Sequence, residues 1–160
     1  MLPQHQIIIY TDGSSRGNPG PGGYGTILMF GQHRKELSHG FRLTTNNRME
    51  LMAVIAGLKA ITKKDIPVKI YSDSQYVVNA IEKGWLATWM KTNFKGGKKN
   101  PDLWKEFHHL SKHFTIKMHW VKGHADNPYN NRCDELATAA ADGHHHLSID
   151  HGYEEIAKGG

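Results

Sequence analysis

The stretch Gln6-Ile7-Ile8-Ile9-Tyr10-Thr11-Asp12-Gly13 is apolar at the consecutive positions Ile7 to Tyr10. A short β-branched and aromatic run of this kind, stopping at Asp-Gly, predicts a buried central strand over 6–11 with Asp12 at its C-terminal end. The segments that follow extend this strand into a sheet. Arg16 to Gly23 is turn chemistry, and it feeds a second strand at about 25–30 and a third at about 35–43, joined near Gly31-Gln32. Three such strands make an antiparallel meander.

Leu51, Val54, Ile55 and Leu58 then follow helical spacing, which predicts a helix over 48–62, with Asn47 and Glu50 spaced as a capping box. A fourth strand, Val68 to Ser72, ends at Asp73. A helix is expected at 74–83, a short one within the Trp- and Lys-rich stretch before Gly96-Gly97, and another at 102–113. The fifth strand spans 115–121. Asn127 then caps a helix with Pro128 at its first position; its stripe Cys133, Leu136, Ala137 and Ala140 faces the core, with Asp134 at the stripe's edge. Helices alternating with strands after a meander predict a mixed α/β sheet with helices on its faces.

The 160 residues, 38% of them hydrophobic, fit one globular domain. That domain is expected over 1–143, with a basic protrusion at about 83–100 and a polar, loosely held tail over 144–160. No apolar run approaches the roughly 20 residues that span a bilayer, and Met1 to Gln6 lacks the pattern of a secretory leader. The single cysteine, Cys133, cannot form an internal disulfide. A cytoplasmic, monomeric protein is the expectation. The 20 Lys and Arg exceed the 15 Asp and Glu by five. Lys83, Lys91, Lys95, Lys98 and Lys99 fall in a segment without acids and account for that whole excess, as suits a polyanionic substrate held along one surface.

Four acids stand in distinctive phrases: Asp12 in Tyr-Thr-Asp-Gly-Ser, Glu50 in Asn-Asn-Arg-Met-Glu-Leu, Asp73 in Tyr-Ser-Asp-Ser-Gln, and Asp134 in Asn-Arg-Cys-Asp-Glu-Leu. Each has a bland reading. Asp after a strand is a common turn residue, Glu50 suits a capping box, and Asp134 suits a boundary residue paired with Arg132. As a set they are better explained by cations, because clustered carboxylates repel unless counter-charge sits among them. Hard oxygen ligands suit Mg²⁺ or Mn²⁺, and two ions roughly 3.5–4 Å apart would clamp an in-line phosphoryl displacement. His124, between the fifth strand and the Asp134 helix, is placed to shuttle a proton, although with 12 His in the chain any one is easily incidental. His144 to His146 read as a solvated tail. The glycines from Gly13 to Gly23 lack dinucleotide-binding spacing and precede a strand. Trp85, Trp89, Phe94 and Trp104 interleave with lysines, a surface suited to sugars and phosphates, or else a core packed beneath a solvated Lys loop.

These phrases, in this order, resemble the type 1 ribonucleases H, specifically the bacterial ribonuclease HI group, from about Gln6 to Tyr153. The resemblance implies a ribonuclease H-like fold: a five-stranded mixed sheet, three strands antiparallel and two parallel, flanked by helices and bearing a basic helical protrusion. It implies hydrolysis of the RNA strand of RNA/DNA hybrids with two Mg²⁺, leaving 5′-phosphate and 3′-hydroxyl ends. Asp12, Glu50, Asp73 and Asp134 would be the metal-binding catalytic acids, with His124 aiding proton transfer or product release. Asn18, Asn46, Asn47 and Gln75 would contact the minor groove, and Trp85 and Ser74 would line the DNA-strand channel. Thr45 and Asn100 would grip a DNA phosphate, and Lys91, Lys95, Lys98 and Lys99 would add sequence-independent affinity. The chain departs from the family pattern at Leu43, where an Arg is expected and Arg42 stands one step earlier. Further departures are Phe94 in place of Trp, the extra Gly84, a shorter protrusion, and Asp126 beside His124. Two competing functions are a catalytically idle hybrid-binding module and a related nuclease or DNA-strand-transfer domain on the same fold.

Overall fold

The protein is described here by a computed structural model covering residues 6–63, 65–122, 126–143 and 146–159, with side chains of the last segment as far as Glu155. Strands β1 (Ile7–Ser15), β2 (Gly20–Phe30) and β3 (His33–Thr44) form the antiparallel meander, and α1 (Asn46–Lys59) leads to β4 (Val68–Ser72). Helices α2 (Gln75–Glu82), α3 (Trp85–Lys91) and α4 (Pro101–Ser111) precede β5 (Ile116–Trp120). After them come α5 (Pro128–Ala141), β6 (Leu147–Ser148) and α6 (His151–Gly159). The sheet order is β5-β4-β1-β2-β3-β6, with β4 parallel to β1 and β5 parallel to β4.

The consecutive apolar residues of β1 follow from its central place. Ile7 and Ile9 pack with Leu51, Val54 and Leu58 of α1 and with Val77, Trp104 and Phe107, whereas Ile8 turns to the other face with Ile27, Met29 and Cys133. Both faces of β1 are thus covered, as an unbroken apolar run requires.

Three expectations are corrected. First, β1 does not stop at Thr11. Its parallel pairing with β4 ends at Thr11↔Ser72, but its antiparallel pairing with β2 continues through Asp12↔Gly25 to Ser15↔Gly22. The partner glycines are strand rather than turn because α5 lies so close that a Cβ on Gly25 would collide with the Cys133 carbonyl. Second, α1 is capped by Thr45, whose Oγ1 accepts the Arg48 N–H at 3.3 Å, so Glu50 lies deeper in the helix and has no capping duty.

Third, the sheet has six strands, because the expected tail adds β6 in parallel to β3 through Gly40↔Leu147 and Phe41↔Ser148. Asp150 beyond it is buried, accepting from Arg48 Nε at 2.8 Å, Arg48 Nη2 at 2.9 Å and Thr44 Oγ1 at 2.7 Å. Asp150 in this polar segment answers a buried guanidinium that requires a carboxylate, while His146 and His151 on either side of it face solvent. Among the described residues, no helix is long and apolar enough to cross a membrane.

Candidate active site

Asp12 and Asp73 meet because of strand register. Thr11 pairs with Ser72, so the next residue on each strand stands where the parallel pair separates. That carboxyl edge, where β4 leaves β1, is the usual ligand position in an α/β sheet. Glu50 reaches the same edge from α1. Its approach depends on Gly13, where any Cβ would run into the backbone of Met49 and Glu50. The Gly13 N–H donates to Asp12 Oδ1 at 2.9 Å and also to Glu50 Oε1.

Carboxylate oxygens of Asp12, Glu50 and Asp73 all lie within 4.8 Å of one another. Asp134, on α5, joins Asp12 and Asp73 as a wall of one cleft of about 230 Å³, together with Gly13, Ser14, Ser15, Asn46, Asn130 and Asn131. This cleft has almost no apolar lining. A larger apolar hollow at the opposite end of the sheet, beside Ile7, Phe30 and Ile66, has no such chemistry.

Burial pushes the Asp12 carboxyl up to about 7; a hydrogen bond with Glu50 and the Gly13 N–H oppose this, and the charges of Asp73 and Asp134 reinforce it. Glu50 is held well above the ordinary carboxyl range by burial first, then by the charges of Asp12 and Asp73. Among the described residues, no Lys or Arg forms an ion pair with any of these four acids. An all-oxygen set whose charges crowd without cationic side chains fits a hard divalent ion.

The other expected residues are placed as follows. Asn18 Oδ1 accepts the Asn46 N–H at 3.1 Å, and Ser15 Oγ donates to Asn46 Oδ1 at 3.1 Å, so both asparagines belong to the rim of the acid cleft. Asn47 and Gln75 are exposed at the starts of α1 and α2. Ser74 is the N-cap of α2, its Oγ accepting the Val77 N–H at 3.2 Å. Trp85, 42% exposed, opens α3, and the Lys83 ammonium lies 5.8 Å from its ring centre.

Lys91, Lys95, Lys98 and Lys99 are all exposed, while Trp104 and Phe94 are buried in the core beneath them. The packing reading therefore holds for Trp104 and Phe94, while Trp85 and the four lysines face solvent. Arg42 is bound by Glu154 of α6 through bonds of 2.9 and 2.8 Å. His124 lies outside the described residues.

Two residues built into the site or beside it were passed over in the sequence. Asn130, buried in the cleft wall, sits four residues before Asp134 and so on the same helix face, a signal that was available. Arg48 was passed over between two site residues, although it is the buried hub joining Thr45, Asn100, Asp102 and Asp150.

The RNase H family model matches residues 4–142. A ribonuclease H of Syntrophus aciditrophicus (strain SB) is 54% identical over 155 residues, covering 94% of this chain and 88% of that protein. Among solved structures, LC9-RNase H1, described as a type 1 RNase H with the type 2 active-site motif, aligns at a TM-score of 0.78 and 30% identity over 98% of this chain and 82% of that one. LC11-RNase H1, solved in complex with an RNA/DNA hybrid, aligns at 0.62 and 29% over 85% and 96%. The edge-of-sheet acid cluster, the six-stranded sheet that carries it and these matches over most of the length agree: this chain belongs to the ribonuclease H family.

Proposed function

We propose that this protein is an endoribonuclease that hydrolyses the RNA strand of RNA/DNA hybrids, leaving 5′-phosphate and 3′-hydroxyl ends. The observation that carries the reading is the trio Asp12, Glu50 and Asp73, brought within 4.8 Å at the splayed edge of the sheet without cationic side chains among them. Asp12, Glu50, Asp73 and Asp134 hold two Mg²⁺, with Mn²⁺ as a substitute. Such ions, when bound, would neutralise charge on the phosphoryl oxygens and make water acidic enough to supply the attacking hydroxide.

The chain's own residues do the rest. Gly13 fixes the directions of the Asp12 and Glu50 carboxylates through one shared N–H. Asn18, Asn46, Asn47 and Gln75 meet the minor groove, where amide groups both donate to and accept from 2′-hydroxyls and base edges. Trp85 and Ser74 line the deoxyribose side, Thr45 and Asn100 hold a DNA phosphate, and Lys91, Lys95, Lys98 and Lys99 bind the backbone. His124 moves a proton near the cut or helps release product. The catalytic unit is 1–143, acting as a cytoplasmic monomer, with 144–160 attached to it.

The test is a cleavage assay on end-labelled hybrid, duplex RNA, duplex DNA and single-stranded RNA, in Mg²⁺ or EDTA, with Asp12→Asn as control. Cutting confined to the RNA of the hybrid, requiring Mg²⁺ and lost in the mutant, is expected. Hybrid bound but never cut would establish a binding module instead, and cutting of duplex DNA a different nuclease.

A further inference from the structure

Arg48 is among the most deeply buried charges in the described structure, 1% exposed, yet it lies one turn into α1 beside residues assigned to the substrate. Its guanidinium is held from two sides. Asp150 accepts from Nε and Nη2, and Asp102 accepts from Nη1 at 2.9 Å and Nη2 at 2.7 Å. A planar fork pinned by two carboxylates has no rotational freedom left. Its Nη1 therefore also points at Asn100 Oδ1, 3.3 Å away. Gly152, at the start of α6, seats the C-terminal segment so closely on this group that a Cβ there would collide with Asp102 and Arg48.

The contacts sort donors from acceptors. Asn100 accepts from Arg48 through Oδ1 and gives one hydrogen of its amide nitrogen to Tyr76 Oη at 3.1 Å, which also accepts from Trp104 Nε1 at 2.8 Å. One N–H of that amide remains. Thr45 accepts the Arg48 backbone N–H through Oγ1, and its own O–H remains. Arg48 thus donates to the oxygen of both residues, once with its side chain and once with its backbone, and so fixes which way each group faces. The hydrogens left over, one amide N–H of Asn100 and the Thr45 O–H, are the groups that an anion lacking hydrogens can use. Without the Nη1 contact, the Asn100 carboxamide is held through its nitrogen alone, by Tyr76, and a turn that breaks this one bond presents oxygen to phosphate oxygen.

We propose that Asp150 and Arg48 are positioning residues for substrate binding: through them the C-terminal segment fixes the donor polarity of the Thr45 and Asn100 phosphate site. The inference rests on the reading of Thr45 and Asn100 as that site. It makes the segment after residue 143 part of the substrate-binding apparatus.

The test measures hybrid affinity in EDTA, where nothing is cut, for wild type, Asp150→Asn, Asn100→Ala and the double variant of the full chain. Asp150→Asn is expected to weaken binding about threefold to tenfold, the scale of one hydrogen bond. In the double variant the loss should not exceed that of Asn100→Ala alone, because both act through one amide. With Mg²⁺ and hybrid varied to saturation, KM should rise while kcat holds. Arg48→Lys, which keeps the charge but loses the fork, serves as a second variant where Asp150→Asn folds poorly, and the same loss is expected of it. Additive losses, or wild-type binding by folded Asp150→Asn and Arg48→Lys beside a weakened Asn100→Ala, would overturn the inference while leaving the phosphate site standing. Wild-type binding by Asn100→Ala would remove both.

Discussion

Asp12 shows what the cluster costs the fold when no cation is bound. Its carboxyl has a folded value of about 7 against 3.8 for the free group, raised by burial and by neighbouring acids. Between those two values the folded state binds more protons than the unfolded one, so stability falls as pH rises through the window; the contribution is fully present below 3.8 and gone above about 7. Because Glu50 titrates with it, the window belongs to the pair. Removing the charge should therefore stabilise the protein in EDTA. Asp12→Asn is expected to unfold at higher temperature than wild type at pH 7.5, by on the order of 1–3 kcal/mol, with the gap narrowing towards pH 5. Added Mg²⁺ should narrow it as well, by stabilising only the wild type. Calorimetry at the two pH values, with and without Mg²⁺, checks this; a gap independent of both pH and Mg²⁺ would show that the buried, crowded charge is not its origin.

At the scale of elements, the site depends on how closely α1 approaches β1. Gly13→Ala places a methyl where the Met49–Glu50 backbone lies, so α1 must retreat or β1 must bend. The expected result is a stability loss of about 1–3 kcal/mol with at least a tenfold fall in kcat, while hybrid affinity in EDTA changes little. Cleavage and binding measured side by side separate the two effects, and an unchanged kcat would show that Glu50 tolerates the shift. The same elements show what a linear reading captures. Strand β4 was legible to the residue, and α2 nearly so, because Ser74 and Lys83 cap it where the apolar spacing stops. The end of β1 was not legible, since Asp-Gly signals a turn locally, and only the nearness of α5 makes the glycine-rich partner a strand. That Thr45 and not Asn47 caps α1 was not legible, because four capping-type residues, Thr44 to Asn47, stand in a row and local spacing does not choose among them.

Over the whole molecule, opposite charges are segregated by depth. Four carboxylates gather at the sheet's edge, partly sealed from water, while Lys91, Lys95, Lys98 and Lys99 stand in solvent around and beyond α3. The acid set could be named from sequence because each member sits in its own phrase. The Arg48–Asp150 pair could not, because 102 residues separate its partners and an aspartate in a polar segment gives no sign of burial. The exposed lysines lie outside the core; among the described residues none of the four forms an ion pair, and Lys98 alone meets a ring, 6.0 Å from the centre of Trp89, so they should be separable from both folding and chemistry. Replacing Lys91, Lys95, Lys98 and Lys99 with Gln is expected to leave the unfolding temperature within a few degrees of wild type and to leave kcat at saturating hybrid within about twofold. Affinity should fall at low salt, and the slope of log K against log salt should become shallower by roughly 0.7–0.9 for each lysine that touches a phosphate. Because released counterions produce the slope, wild type and variant should converge as salt is raised. Hybrid binding titrated over a range of NaCl in EDTA reads the slope directly, and parallel lines for the two proteins would show that this segment does not meet the nucleic acid backbone.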